Sequence, residues 1–136
     1  MKADRSDRCR VVYRVDPPVG SQDLDELFAA AWPWHKPRDW DPVLERSLVY
    51  LCAYSECRLV GFVNVAWDGG VHGFLLDTTV HPEFQRRGIA SELVRQAAVA
   101  ARERGASWLH VDYEPHLEAF YAACGFRPTA AGLIRL

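Results

Sequence analysis

Val80-His81-Pro82-Glu83-Phe84-Gln85-Arg86-Arg87-Gly88-Ile89-Ala90 follows a strand-like run over 74–79 and opens into a helical pattern over 91–104. A strand, a turn rich in Arg and Gly, and a helix together place backbone N–H groups at a helix N-terminus. The first amides there have no internal partner and the macrodipole is positive, so the terminus binds anions. Gly88 lets a ligand approach the backbone where a Cβ would intrude. Arg86 and Arg87 add charge that titration does not remove. The local physics is that of a pyrophosphate site. The turn is not a Walker A loop, which needs Gly-Lys followed by Ser or Thr. Nor is it the three-glycine dinucleotide fingerprint.

Length and composition bound the rest. The chain has 136 residues, which predicts a single domain over 1–136. It is 49% hydrophobic and 25% charged, the balance of a globular protein with a real core. Its formal net charge is -2, which argues against nucleic acid as a partner. No apolar run approaches the ~20 residues of a membrane span, so no membrane association is expected. The start, Met1-Lys2-Ala3-Asp4-Arg5-Ser6-Asp7-Arg8, lacks the apolar stretch of an export signal, and residues 1–8 are expected to fray. Cys9, Cys52, Cys57 and Cys124 show no metal-like spacing and read as reduced thiols of a cytoplasmic protein.

The elements follow in order. A strand over 10–15 is closed by Asp16-Pro17-Pro18. Ser21 is a candidate N-cap for a helix carrying Leu24, Leu27, Phe28 and Ala31 at helical spacing. A loop of Trp and Pro comes next, then a short helix over 41–46 with Pro42 in its first turn. Strands over 48–54, 59–67 and 72–80 form a meander. Ile89, Leu93, Val94, Ala97, Ala98 and Ala101 then make one apolar stripe on a long helix. The strand over 108–112 is reached through that helix, which implies a parallel crossover. A last helix over 115–123 precedes a final strand pair within 126–136.

Gln85-x-x-Gly88-x-Ala90 closely resembles the acetyl-CoA signature of the GCN5-related N-acetyltransferases, Gln/Arg-x-x-Gly-x-Gly/Ala. Phe120-Tyr121-Ala122-Ala123-Cys124-Gly125-Phe126 resembles the Phe-Tyr-x-x-x-Gly-Phe that ends this family's last helix. The element order is also the family's, over nearly the whole chain. The resemblance implies an α/β (α+β) fold: a mixed sheet of six to seven strands, splayed in a V between the fourth and fifth, with about four helices. It implies acetyl-CoA as co-substrate, no metal, and a small-molecule amine acceptor that attacks the thioester directly. Homodimers are frequent in the family.

Acetyl transfer to an amine needs a pyrophosphate site, a polarised thioester carbonyl, a deprotonated amine and a proton for the leaving thiolate. Gln85, Arg86, Arg87, Gly88, Ile89, Ala90 and Ser91 supply the first. The resemblance assigns the second to the strand edge at Thr79 and Val80, whose free backbone groups act as oxyanion-type donors. Tyr121 fits the proton donor, as in the family, against the alternative of a core aromatic. Asp77 is the candidate base, with a paired strand-end acid as the alternative; Asp112 and Glu114 end the facing strand and also reach toward the cleft. The glutamate of the histone-acetylating members is replaced here by Phe74. Family members often carry an Asn near the start of the last helix, where this chain has Glu114-Pro115-His116.

Trp32, Trp34, His35 and Trp40 crowd the loop beside which the acceptor enters in this family. They either cap the core or line the acceptor pocket, with Trp32 and Trp34 as the lining candidates. Two other functions keep the same cofactor site: an acyl-CoA-binding module without turnover, and an N-acetyltransferase of peptides or proteins. A phosphate- or nucleic-acid-binding domain built on Arg86 and Arg87 is disfavoured by the acidic balance.

Overall fold

Strands β1 (Val12–Val15), β2 (Val49–Ser55), β3 (Arg58–Trp67) and β4 (His72–Val80) form an antiparallel meander, and β5 (Trp108–Val111) pairs parallel to β4. This computed structural model describes residues 10–136, so the expected frayed tail 1–8 and Cys9 lie outside the described residues. Between β1 and β2 run α1 (Ser21–Ala31) and α2 (Asp41–Arg46). Helix α3 (Ile89–Glu103) is the β4–β5 crossover, and α4 (Glu118–Ala123) follows β5 after a 3₁₀ turn.

The sheet has a core on each face. Leu51, Ala53, Val60, Val63 and Val65 meet the stripe of α3, of which Ile89, Leu93, Val94, Ala97, Ala100 and Ala101 are buried. Each fully buried Leu, Ile or Val contributes about 1.5–3 kcal/mol, so this packing fixes where α3 begins. The other face packs Cys52, Leu59 and Phe62 against Leu24, Leu27 and Phe28 of α1 and against Trp40. Alternation explains the division on β2 and on β3 from Gly61 onward, and a register slip at Val60, between Ala53↔Gly61 and Tyr54↔Leu59, lets Leu59 share a face with Phe62.

Three expectations are corrected. The sheet has five strands among the described residues, not six to seven. The segment 126–136 forms no strand; Leu133 and Ile134 are exposed, and Pro128 and Gly132 weaken any ladder there. Ser21 is the first residue of α1 and not its cap; Gly20 caps it, and the Ser21 hydroxyl accepts instead from the Trp40 amide at 2.8 Å. The mixed α/β sheet and four α-helices otherwise stand as read.

Gly61 sets the distance between β3 and α3. A Cβ there would lie 3.0 Å from Leu93 Cδ1 and 3.3 Å from Ile89 Cγ2. Gly61→Val should therefore destabilise the fold by about 1–3 kcal/mol through overpacking. Urea unfolding measures this; an unchanged midpoint would show that α3 yields freely.

Candidate acetyl-transfer site

Strand β4 pairs with β5 only from His72↔Trp108 to Leu75↔Val111. Among the described residues Leu76 to Val80 continue without a parallel neighbour, so this length of β4 has an open edge. On the other side the register with β3 slips between Phe62↔Thr79 and Asn64↔Leu76, leaving Asp77 and Thr78 opposite Val63. This is a β-bulge, and Asp77 carries it at φ +59°. Bulges re-aim side chains. Here Asp77 meets Arg38 at 3.9 Å, Thr78 meets Tyr121, and the Thr79 hydroxyl accepts from the Trp32 indole N–H at 3.2 Å. Thr79 and Val80 are buried.

The turn after β4 delivers α3 uncapped. His81 accepts from the Glu83 amide and steadies a 3₁₀ turn at Pro82–Phe84. The Gln85 side-chain amide donates to the Val80 carbonyl at 3.3 Å. Arg86 at φ +63° and Gly88 at φ +77° then fold the backbone so that α3 starts at Ile89 with no side-chain cap. The first intrahelical bond, Glu92 N–H to the Gly88 carbonyl, leaves the amides of Ile89, Ala90 and Ser91 unpaired within the helix. Arg86, Arg87 and Ser91 are exposed beside them. The Ile89 side chain is in the core, so it offers a ligand only its backbone. Glu83 faces Arg58 at 3.4 Å, away from any acid–base role.

Tyr121 is 7% exposed. It stacks on Tyr113, with ring centroids 5.0 Å apart, and meets Phe120 and Phe126 edge-on. Burial raises its phenol above the ordinary value, while a hydrogen-bonding contact with the Thr78 side chain opposes that. The phenol thus stays protonated and is a donor beside the bulge. Tyr113 was not singled out in the sequence, yet alternation from Leu109 and Val111 puts it on the same face.

The tryptophan loop divides. Trp40 is fully buried against Phe28 and Phe62, and its indole donates to Asp25 at 3.1 Å. His35 also binds Asp25, at 2.8 Å. Although burial works against it, these bonds and the Arg38 amide hold the Asp25 carboxyl below its usual value. Trp32 and Trp34 lie together at the surface, centroids 5.6 Å apart, and Trp34 is 73% exposed. Arg38, missed by sequence reasoning, lays its guanidinium 3.7 Å over the Trp40 ring on the way to Asp77.

Burial raises the Asp77 carboxyl above the usual carboxylate value, against the lowering effect of Arg38. A third of its side chain stays open to solvent, so it is both desolvated and reachable. Asp112 and Glu114 are exposed beyond the end of β5, and among the described residues neither makes an ion pair with a site residue. Among the described residues no group of three metal-ligating side chains occurs. A hollow of about 550 Å³ involves Pro18, Gly20, Leu44 and Tyr50 and contains nothing from β4, β5 or the 85–91 turn.

An open β4 edge, an uncapped helix start and a buried tyrosine lie at the positions where the resemblance expects them. Residues 21–126 match the model of the acetyltransferase (GNAT) family, and the chain belongs to that family. It is similar to the mycothiol acetyltransferase of Mycolicibacterium vanbaalenii, 30% identical over 98 residues, which are 72% of this chain and 27% of that protein. It is 32% identical over 72 residues to the uncharacterized N-acetyltransferase ycf52 of Porphyra purpurea, 53% of this chain and 41% of that one. The chain thus matches well under half the length of these curated relatives. A GNAT-family acetyltransferase of Streptococcus pneumoniae superposes with TM-score 0.76 at 25% identity, over 93% of this chain and 98% of that one. The aminoglycoside N-acetyltransferase AAC(6')-Iy, solved with CoA, shares the fold at TM-score 0.73 and 18% identity, over 93% and 94% of the two chains. The family model and these relatives are all named acetyltransferases.

The raised Asp77 carboxyl has a consequence for stability. A group whose folded pKa exceeds its unfolded value favours folding at low pH. The fold therefore loses stability as pH rises from about 4 through the raised folded value. Asp77→Asn should raise Tm at pH 7 and flatten the pH dependence above about pH 4. Thermal melts across pH check this; a lower Tm at pH 7 would mean that Arg38 outweighs burial.

Proposed function

We propose that the chain transfers an acetyl group from acetyl-CoA to a primary amine of a small molecule by direct attack on the thioester. The observation that carries this reading is the uncapped α3 start, with Gly88 at φ +77°, set at the open end of β4. Free amides and two arginines favour a pyrophosphate there. The named chemistry of the relatives supports the same reading, as does the CoA held by the aminoglycoside enzyme of shared fold.

The residues divide the chemistry. Amides of residues 85–91, with Arg86 and Arg87, hold the pyrophosphate. The backbone at Thr79 and Val80 faces the thioester carbonyl and favours the charge that develops on its oxygen. Asp77, directly or through one water, takes a proton from the acceptor ammonium and frees the lone pair; its raised carboxyl brings it nearer to a useful base. The new C–N bond replaces the C–S bond. Tyr121 hands its proton to the departing sulfur and regains one from the nitrogen, which gives up two protons in all. Trp32 and Trp34 wall the acceptor, with Asp112 and Glu114 at the rim.

One observation favours a second reading, acyl-CoA binding without turnover: Tyr121 is 7% exposed and wedged among aromatic rings. Tyr121→Phe separates the two. It should lower kcat about 10²-fold or more while changing acetyl-CoA affinity less than about threefold, because the hydroxyl acts only as the thiolate develops. An effect confined to binding or stability would leave Tyr121 a packing residue.

The pyrophosphate assignment has its own test. Gly88→Val forces a β-branched residue into the left-handed region, although its Cβ would meet no atom within 4 Å. Calorimetry should show CoA binding lost, with the far-UV spectrum kept. Unchanged affinity would remove the 85–91 turn from the site.

A further inference from the structure

Arg38 stands where a simple amine acceptor gains nothing from it. Its guanidinium is laid over the Trp40 ring at 3.7 Å, and its backbone amide is held by both Asp25 oxygens at 3.3 Å. Trp40 is in turn buried and bonded to Asp25. The cation is therefore placed by the core and does not wander on a free loop. About half of its side chain is exposed. Among the described residues the guanidinium makes no hydrogen bond. Its one carboxylate neighbour, Asp77, is 3.9 Å away, beyond hydrogen-bond reach. Five donors in a planar fork thus face the acceptor side with a loose partner.

A purely cationic acceptor approaching Asp77 meets the like charge of Arg38. An acceptor carrying an ammonium and a carboxylate meets an opposite charge with each. Resting on the acetyl-transfer reading above, we propose that the acceptor is a zwitterionic amine of the α-amino-acid class, its ammonium on Asp77 and its carboxylate on Arg38. Asp77 and Arg38 lie within 4 Å of each other, so the charges they receive must also lie close together, as on one α-carbon. Binding exchanges one loose ion pair for two charge-assisted contacts, one of them able to be bidentate. Trp32, fixed to Thr79 two residues along β4 from Asp77, and Trp34 beside it offer an apolar aromatic wall to the acceptor's side chain. That wall favours amino acids with apolar or aromatic side chains.

The test compares L-amino acids with their own amides, and L-phenylalanine also with phenethylamine. Emission of the exposed tryptophans reads binding to the full chain, with and without acetyl-CoA; thiol release reads turnover. The amino acid preferred among those tested should bind at least about tenfold tighter than its amide. Arg38→Met, which keeps the apolar stem over Trp40, should bring that ratio close to one. Arg38→Lys, which keeps the charge without the fork, should give an intermediate ratio. Amides or amines binding as well as the acids, no binding by any amino acid, or a ratio unchanged in Arg38→Met would each overturn the proposal. Selective amino-acid binding without thiol release would support the zwitterion site and overturn the acetyl-transfer reading. Thiol release with amines but no preference for acids would do the reverse.

Discussion

Between Phe62↔Thr79 and Asn64↔Leu76, β4 carries one residue more than β3, and Asp77 absorbs the mismatch at φ +59°. Left-handed backbone costs a non-glycine residue roughly 1–2 kcal/mol, less for Asp than for most. The ladder with β3 on both sides supports the bulge, as does the Thr79 hydroxyl, which donates to the Asp77 carbonyl at 3.2 Å. The gain appears in the side chains. Leu75 and Val80 are an odd number of positions apart, yet both lie in the core under α3. A regular strand would have put one of them on the opposite face. The extra residue flips the face, returning Val80 to the core and leading the chain straight into the turn before α3. It also frees Asp77, Thr78 and Thr79 from the simple alternation, so that each meets a different partner.

This geometry explains which parts were legible in the sequence. Helix α3 could be read because its stripe recurs at helical spacing: Ile89, Leu93, Val94, Ala97 and Ala101 are buried, although Ala98, expected in the stripe, is exposed and Ala100 is buried instead. The turn before α3 could be read because Gly88 stands where the helical pattern begins, and Gly88 does take a left-handed conformation. The bulge could not be read: it replaces a period-2 pattern by a local offset, and no residue type demands it here. The strand count failed for a related reason. Residues 126–136 hold apolar residues that suit a strand, but a strand needs a neighbouring edge, and composition does not reveal whether one is met. The tryptophans were ambiguous because an indole serves equally in a core and in a pocket. Trp40 went to the core and Trp34 to the surface, and only the fold separates them. Arg38 and Asp77 are 39 positions apart, with no pattern to join them.

The loop that carries those tryptophans is held by a single carboxylate. Asp25, on α1, accepts from the Trp40 indole, the His35 ring and the Arg38 backbone. One acid thus pins three points of the connection between α1 and α2, and the aromatic cluster of Phe28, Trp40 and Phe62 packs behind it. A loop fixed in this way behaves as a platform. Trp32 then needs only its bond to Thr79 to be set against β4, and Arg38 needs only the Trp40 face to be aimed at Asp77.

Two cores therefore serve two halves of the proposed site. The packing of α3 on β2 and β3, with Gly61 allowing close approach, sets the uncapped helix start at the end of β4. The second core, through Asp25 and Trp40, sets the charged and aromatic groups on the opposite side of the same strand. Both halves meet at the bulged end of β4. A change in either core that moved its half by an ångström would leave both half-sites intact but misaligned, and alignment is what a transfer between two bound molecules requires. On the acetyl-transfer reading proposed above, substitutions at Gly61 or Asp25 should therefore lower kcat as well as stability, which steady-state kinetics would show.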